Sequence, residues 1–381
     1  MIFSKLISQD IQQKVKYIIV FCLFLLPYIS CAEYLKNDFR DIDNSINISG
    51  YTNIKSDSLD IDIFDDKWLT MPKHNKTNNA YGDIYFEGSY HLDDIKIGVF
   101  HEKSINLNAN DGFIQTWFYA TKDFNTLLNK DDIGDYITNT TIDGDASYYI
   151  ANGIYIQKIF NPTKKHYFSS KLKLLKGSEL QSLAVTGENA EQFEMSFDYY
   201  YSDKNHISKN KRFDNSENGI GYAIDLEYIY NDEKLYFHAG FYNIHSFLYW
   251  KDIEFMHYDF NGQTIYIGDD GYKHSRPFGS GYYRYDIDYK QKLPLYYRST
   301  LNYKINNIIS IGDSMEGYND IVFNQLYIKT KINKNHSFKT GYIYETKNII
   351  FGVDFKYISL ECMYNFAMNE KVLVGGYKIK F

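Results

Sequence analysis

The stretch YYRSTLNYKI, Tyr296 to Ile305, separates into two unlike faces when every second residue is read. Tyr297, Ser299, Leu301, Tyr303 and Ile305 form one face, and Tyr296, Arg298, Thr300, Asn302 and Lys304 the other. Side chains alternate across a strand, so this period of two predicts a strand lying between an apolar and a wet surrounding. The pattern also precedes this stretch. In Tyr282 to Lys290, Tyr283, Tyr285, Ile287 and Tyr289 oppose Tyr282, Arg284, Asp286, Asp288 and Lys290. In Gln192 to Tyr201, Phe193, Met195, Phe197, Tyr199 and Tyr201 oppose Gln192, Glu194, Ser196, Asp198 and Tyr200.

Working outward, further strands are expected at Asn47 to Ile54, Ala223 to Tyr230, Leu235 to Ile244, Val322 to Ile332 and Ser337 to Tyr344. Near Tyr357 the apolar positions shift from odd (Ile349, Phe351, Val353, Phe355) to even (Leu360, Cys362, Tyr364, Phe366), which predicts a tight turn around Lys356 to Ile358. Connections alternate between short, as at Asn231 to Glu233 and Glu345 to Asn348, and long, as at Ser202 to Asn218 and Asp252 to Ser280. Such spacing suits an up-and-down antiparallel meander. DFNTLLN, Asp123 to Asn129, reads as a helical turn or two within a loop.

The 381 residues include 39 Tyr and 27 Phe but 5 Pro, a balance that favours strands over helices. Acidic and basic residues, 48 and 41, are interspersed to a net charge of -7, and no basic block points to nucleic acid.

Residues 1–32 read as a secretory signal peptide with cleavage after Ala32. Lys14 and Lys16 precede the apolar run YIIVFCLFLL, Tyr17 to Leu26, and Ser30-Cys31-Ala32 supplies the small-residue site. Cleavage would leave Cys362 as the one cysteine, so no internal disulfide is expected. Residues 33–80 are polar and rich in Asp and Asn. They read as a plug, a lead-in or a first strand with long flanks, ahead of a strand-bearing region at 81–381.

The apolar faces are dominated by Tyr and Phe. A soluble sandwich would need an internal partner for each buried Tyr hydroxyl, whereas a lipid interface accepts aromatic girdles. Within a bilayer, only a closed barrel satisfies every strand N–H and C=O.

The chain closes on LVGGYKIKF, Leu373 to Phe381. Through Gly376, Tyr377, Ile379 and the terminal Phe381 it resembles the C-terminal assembly signal of Gram-negative outer-membrane β-barrel proteins. It departs from that pattern at Val374, where a polar residue is usual, and at Ile379, where an aromatic is preferred. The resemblance implies an all-β, antiparallel, up-and-down transmembrane barrel in the outer membrane. The last strand would be recognised by the barrel-assembly machinery, close against the first, and sit among outer-membrane lipid and lipopolysaccharide. Tilted strands of about ten residues would allow about 14 to 18 strands, with about 16 the central expectation.

In such a barrel Glu194, Asp198, Asp225, Glu227, Arg284, Asp286, Asp288, Arg298, Lys304 and Lys380 would line the lumen. They would either set a field that selects small polar solutes by charge, or pair across strands and hold the wall. The function expected is diffusion of small polar solutes. A non-conducting barrel for secretion, surface attachment or envelope assembly is the rival.

Signatures of chemistry are weak. His101-Glu102 lacks the second His of a zinc-protease helix, with Ile105 in its place. Asp143-Gly144-Asp145 lacks the later Glu of a calcium loop. GDDGYKHSRPFGSGY, Gly268 to Tyr282, holds Asp269, Asp270, His274, Ser275 and Arg276, parts from which an outer-membrane hydrolase could be built. Tyr249-Trp250 ahead of the long connection could stack on a surface ligand or belong to an interfacial girdle. No catalytic residue, metal or cofactor is expected.

Overall fold

The computed structural model describes residues 45–56, 78–121, 140–189, 193–202, 218–267, 273–318, 321–333, 335–345, 347–355, 358–365 and 370–380. The signal peptide, the helical turn at 123–129, Asp269, Asp270 and Phe381 lie outside them, as does nearly all of the connection at 202–218.

Among the described residues sixteen extended segments form one antiparallel sheet. The first five are β1 (Ser45–Ser56), β2 (Asn78–Leu92), β3 (Ile95–Ala109), β4 (Thr140–Thr163) and β5 (His166–Asn189). Next come β6 (Phe193–Tyr201), β7 (Gly219–Asn231), β8 (Leu235–Ile267), β9 (Lys273–Gln291) and β10 (Tyr296–Lys304). The last six are β11 (Ile309–Tyr318), β12 (Ile321–Lys331), β13 (Ser337–Ile343), β14 (Asn348–Asp354), β15 (Ile358–Asn365) and β16 (Glu370–Lys380).

The sheet closes on itself, because β16 pairs with β1, Ile379 standing opposite Ile48. Two places in the wall are shared. The upper half of β5 pairs with β6 and its lower half with β7. The upper half of β8 pairs with β9 and its lowest part with β10. Sixteen segments therefore fill 14 places around the barrel, at the lower end of the expected range. Within residues 33–80 the structure describes β1 and the first residues of β2, Asn78 to Ala80, all of them wall strand.

The alternation has a direct structural meaning. On β3 and β4, Val99 and Ile154 are 60% and 55% exposed, while their chain neighbours Phe100 and Tyr155 are 4% and 2% exposed. Exposed apolar side chains continue around the outside at Ile48, Phe86, Leu172, Leu226, Phe241, Leu301, Ile311, Leu326, Phe338 and Phe351. A belt of that extent needs an apolar partner.

The connection expected at Asp252 to Ser280 is largely strand. β8 runs on for 33 residues and returns as β9, so one arc of the wall rises far above the other. The phase of β8 and β9 is broken by bulges, with positive φ at Asp252 (52°) and Asp286 (59°). A bulge inserts an unpaired residue and reverses which side chains face in, which hides a strand from a strict period of two.

A helix, α1 (Asp111–Thr121), follows β3. Asn110 caps it: its Oδ1 accepts the N–H of Phe113 at 2.9 Å and of Asp143 at 3.0 Å, and its Nδ2 donates to the Thr141 carbonyl at 2.9 Å. Phe113 and Ile114 pack on Ala80, Leu107, Ala109, Ile142 and Val185, on the outer face of the tall arc above the belt. Among the described residues no helix is long and apolar enough to cross a membrane, which says nothing of strands.

Candidate functional site in the barrel interior

The inward positions of β2, β3, β5 and β7 carry charge in two tiers. In the lower tier Glu87 accepts Lys96 Nζ at 2.7 Å, the Tyr85 hydroxyl at 3.0 Å and Ser49 Oγ at 3.2 Å, with Lys171 Nζ at 3.5 Å. Lys171 also lies over the Tyr155 ring, 4.5 Å from its centroid. Beside it Glu227 accepts the Tyr242 hydroxyl at 2.8 Å and Ser169 Oγ at 3.1 Å.

In the upper tier Lys173 Nζ lies 3.3 Å from Asp225 and 3.7 Å from Glu102, and donates to Asn243 Oδ1 at 3.0 Å. Tyr149 donates to Glu102. Asn243 has φ 58° where β8 bulges against β7, and its N–H, freed from the ladder, donates to Asp225 at 2.9 Å. Each buried charge thus has an opposite charge or several donors, the condition under which burial is tolerated.

Above these tiers the interior is apolar. Trp250, Leu248, Leu180, Ile253 and Leu293 are fully buried. Trp250 fits because Gly177 and Gly219 leave room, since a Cβ on either would stand 2.4 Å or 2.7 Å from its ring. Trp250 donates Nε1–H to Gln291 at 3.1 Å, so it is an interior anchor and no surface stacking platform.

The opposite wall reaches across to this arc. Tyr318 of β11 stacks on Tyr81 of β2 with ring centroids 4.5 Å apart and planes 1° apart. Its hydroxyl lies 2.8 Å from Ser104 Oγ on β3. Neither β2 nor β3 pairs with β11 in the sheet, so the contact spans the lumen. Phe323, Ile343 and Ile350 complete this apolar bridge.

The residues expected to line the lumen divide as follows. Asp225 and Glu227 join the inner tiers described above. Arg298 pairs with Glu316 at 3.4 Å. Asp198 holds His257 Nδ1 at 2.7 Å, and Asp259 holds Nε2 at 3.0 Å, on the inner face of the tall arc above the belt. With Asp198 and then Asp259 on its ring nitrogens, His257 is held above the usual histidine range. Glu194 is exposed near the upper end of β6. Arg284 is exposed over the Tyr282 ring, and Asp286 is the bulge residue itself.

Asp288 accepts the Tyr249 hydroxyl. Tyr249 stands opposite Ile220, which is 70% exposed, so the bulge has turned Asp288 to the outer side. Lys304 is exposed at the bottom of β10, and its N–H donates to the Lys234 carbonyl at 2.8 Å. Gly376, Tyr377, Ile379 and Lys380 stand in β16 opposite Tyr51, Gly50, Ile48 and Asn47. His101 faces outward and bonds Asn152 at 2.8 Å, while Glu102 faces in. Among the described residues no cluster of His, Cys, Asp and Glu could hold a metal.

Sequence reading missed Glu87, Lys96, Glu102, Lys171 and Lys173. For the lysines the signal is the local alternation Ile95-Lys96-Ile97 and Lys171-Leu172-Lys173, where charged and apolar residues change places at every step. It also sent Tyr and Phe mainly to lipid, whereas Tyr85, Tyr149 and Tyr242 are inside, each with a carboxylate for its hydroxyl.

No protein-family model matches the sequence, and no curated protein matches it. Among solved structures, the chain is similar to the Pseudomonas putida toluene transporter TodX, with 11% identity, a TM-score of 0.44, and 93% of this chain and 92% of the other covered. It is similar to a Pseudomonas aeruginosa FadL homologue at 7% identity and a TM-score of 0.35, covering 89% and 88%. The Escherichia coli outer membrane protease OmpT follows at 9% identity and a TM-score of 0.25, covering 88% and 97%. These superpositions are loose, and no solute or activity transfers to this chain with them.

Proposed function

We propose that the chain is an outer-membrane β-barrel whose lumen is held shut at rest by its own side chains and passes small polar solutes when the Tyr81–Tyr318 bridge parts. The observation that carries the membrane reading is the belt of exposed apolar side chains around a closed sheet whose interior is charged and paired. Water on both sides would leave that belt uncovered, whereas lipid outside and a polar interior suit both faces.

Charge pairing inside argues against rows of free acidic and basic groups that attract ions. The interior is close to neutral locally, so passage would depend on hydrogen bonding and on the bridge. A non-conducting barrel for attachment or envelope assembly is the second reading, favoured by the height of β8 and β9 above the belt.

Fractionation of cells expressing the full chain tests the first part, with heat-modifiable gel mobility as the sign of a folded barrel. Recovery in the soluble fraction would overturn the membrane reading. In planar bilayers, brief small current steps are expected. Large, permanently open steps would overturn the closed resting state, and silence from a folded barrel would overturn passage in favour of the second reading.

A further inference from the structure

One register row on the low arc differs from the charged tiers. His238 of β8 stands opposite Thr300 of β10, Thr300 opposite Ser314 of β11, and Ser314 opposite Gln325 of β12. Gln325 stands opposite Ile343 of β13, and Ile343 opposite Asn348 of β14. All face inward, since the alternate positions Leu301, Leu326, Tyr342 and Phe351 are exposed on the outside.

Apart from Ile343, every member of this row can form hydrogen bonds. His238, Gln325 and Asn348 are 1%, 8% and 9% exposed. His238 Nε2, Gln325 Nε2 and Asn348 Oδ1 are each buried without a hydrogen-bond partner. An orphaned buried polar group is costly, and three in one row point to something that satisfies them.

Strands of a barrel tilt, so a row perpendicular to them climbs the wall. This one starts near the lower end of β8 and finishes on the first residue of β14, at the upper end of that strand. Ile343, which interrupts it, belongs to the apolar cluster of the Tyr81–Tyr318 bridge. The polar row therefore climbs to the closure from below and ends beside it.

We infer that this row is a solute track for small uncharged polyhydroxy compounds, sugars or polyols, which exchange hydroxyl contacts from His238 through Gln325 to Asn348. The inference deepens the proposed passage of polar solutes and rests on it. The row is uncharged, and the acids of the neighbouring inner positions are already paired, as in Arg298–Glu316 and Lys339–Glu361. An anion or cation gains no free countercharge there. A hydroxylated neutral solute, donor and acceptor at once, suits an amide nitrogen, an amide oxygen and an imidazole in sequence.

The test is saturation-transfer NMR on the folded, detergent-solubilised full chain, with glucose as probe and gluconate as its charged counterpart. Saturable glucose binding is expected, with gluconate weaker by about tenfold. Gln325→Leu and Asn348→Leu should each weaken glucose by about tenfold, the loss of roughly one good hydrogen bond. Thr300→Val serves if either variant lacks heat-modifiable mobility, and Leu301→Val on the outer face should change nothing. Absence of saturable glucose binding, equal binding of gluconate, or indifference to the row substitutions would overturn the track and leave ordered water as the partner of the orphaned atoms. Glucose binding by a barrel silent in bilayers would sink passage and leave the row a binding site and no track. Current without glucose binding would sink this inference alone.

Discussion

On one arc of the barrel β2–β5, β8 and β9 run from 15 to 33 residues, while β10–β16 on the other run from 7 to 11. At a rise of about 3.3 Å per residue, β8 reaches roughly 100 Å, and β13 about the thickness of a bilayer's apolar band. Both arcs bury paired charge and expose apolar side chains outward. They differ in what lies above. The tall arc closes on itself with Trp250, Leu248 and Leu180, whereas the low arc has too little strand to do so and leans across the lumen through Tyr318. Stability is therefore expected to concentrate in the tall arc, and control of the lumen at the contact between the two.

The largest effect is expected from Lys173→Met, which leaves Glu102 and Asp225 buried without their cation. Breaking a buried pair from one side costs about 3–5 kcal/mol, measurable by urea unfolding of the heat-modifiable band. Lys339→Met on the low arc strands a single acid, Glu361, whose side chain is 17% exposed, and should cost less. Equal losses would break the comparison.

Gly219→Ala should come next, at about 1–3 kcal/mol, because the added methyl meets the Trp250 ring and the packed interior cannot yield freely. Asn110→Ala removes the cap of α1 and its tie to Thr141. A loss of about 1 kcal/mol is expected, read as faster proteolysis around residues 111–121 with the barrel's gel mobility unchanged.

The smallest effect concerns pH. His257 is raised by Asp198 and Asp259, so its charged form is favoured when folded. That contribution is complete below about pH 6.5, its unfolded value, and fades as pH rises through the raised folded value. Solvent screens the pair, so the change belongs to the upper part of β6 and β8 and not to global unfolding. An NMR titration of the His257 ring should give a midpoint above 6.5 that falls in Asp198→Asn. An unmoved midpoint would remove the ion pair from the account of the tall arc.

Much of the low arc was legible because its strands are short and keep one phase. Tyr296 to Ile305, Val322 to Ile332 and Ser337 to Tyr344 are expected as strands, and β10, β12 and β13 pair there with no shift of register. The tall arc was less legible for a physical reason. Its strands run on above the apolar belt, where outward residues need not be apolar, and bulges at Asn243, Asp252 and Asp286 shift the phase. The helix was hidden by its shortness, although Asn110-Asp111-Gly112 before Phe113-Ile114 is a cap followed by an apolar face.

The interior tiers were half legible. Asp225 and Glu227 stood out on β7, but their partners on β3, β5 and β8 depend on register, which alternation alone does not supply. The Tyr81–Tyr318 contact joins distant parts of the chain across the lumen and has no local signal at all.

The most direct test is the single-channel conductance of Tyr318→Ala beside the wild type, in the same bilayer and with folding checked by gel mobility. Removal of the ring takes away both the stack on Tyr81 and the bond to Ser104. A several-fold rise in open time or step size is predicted. Identical currents from the two proteins would contradict a lumen held shut by this bridge.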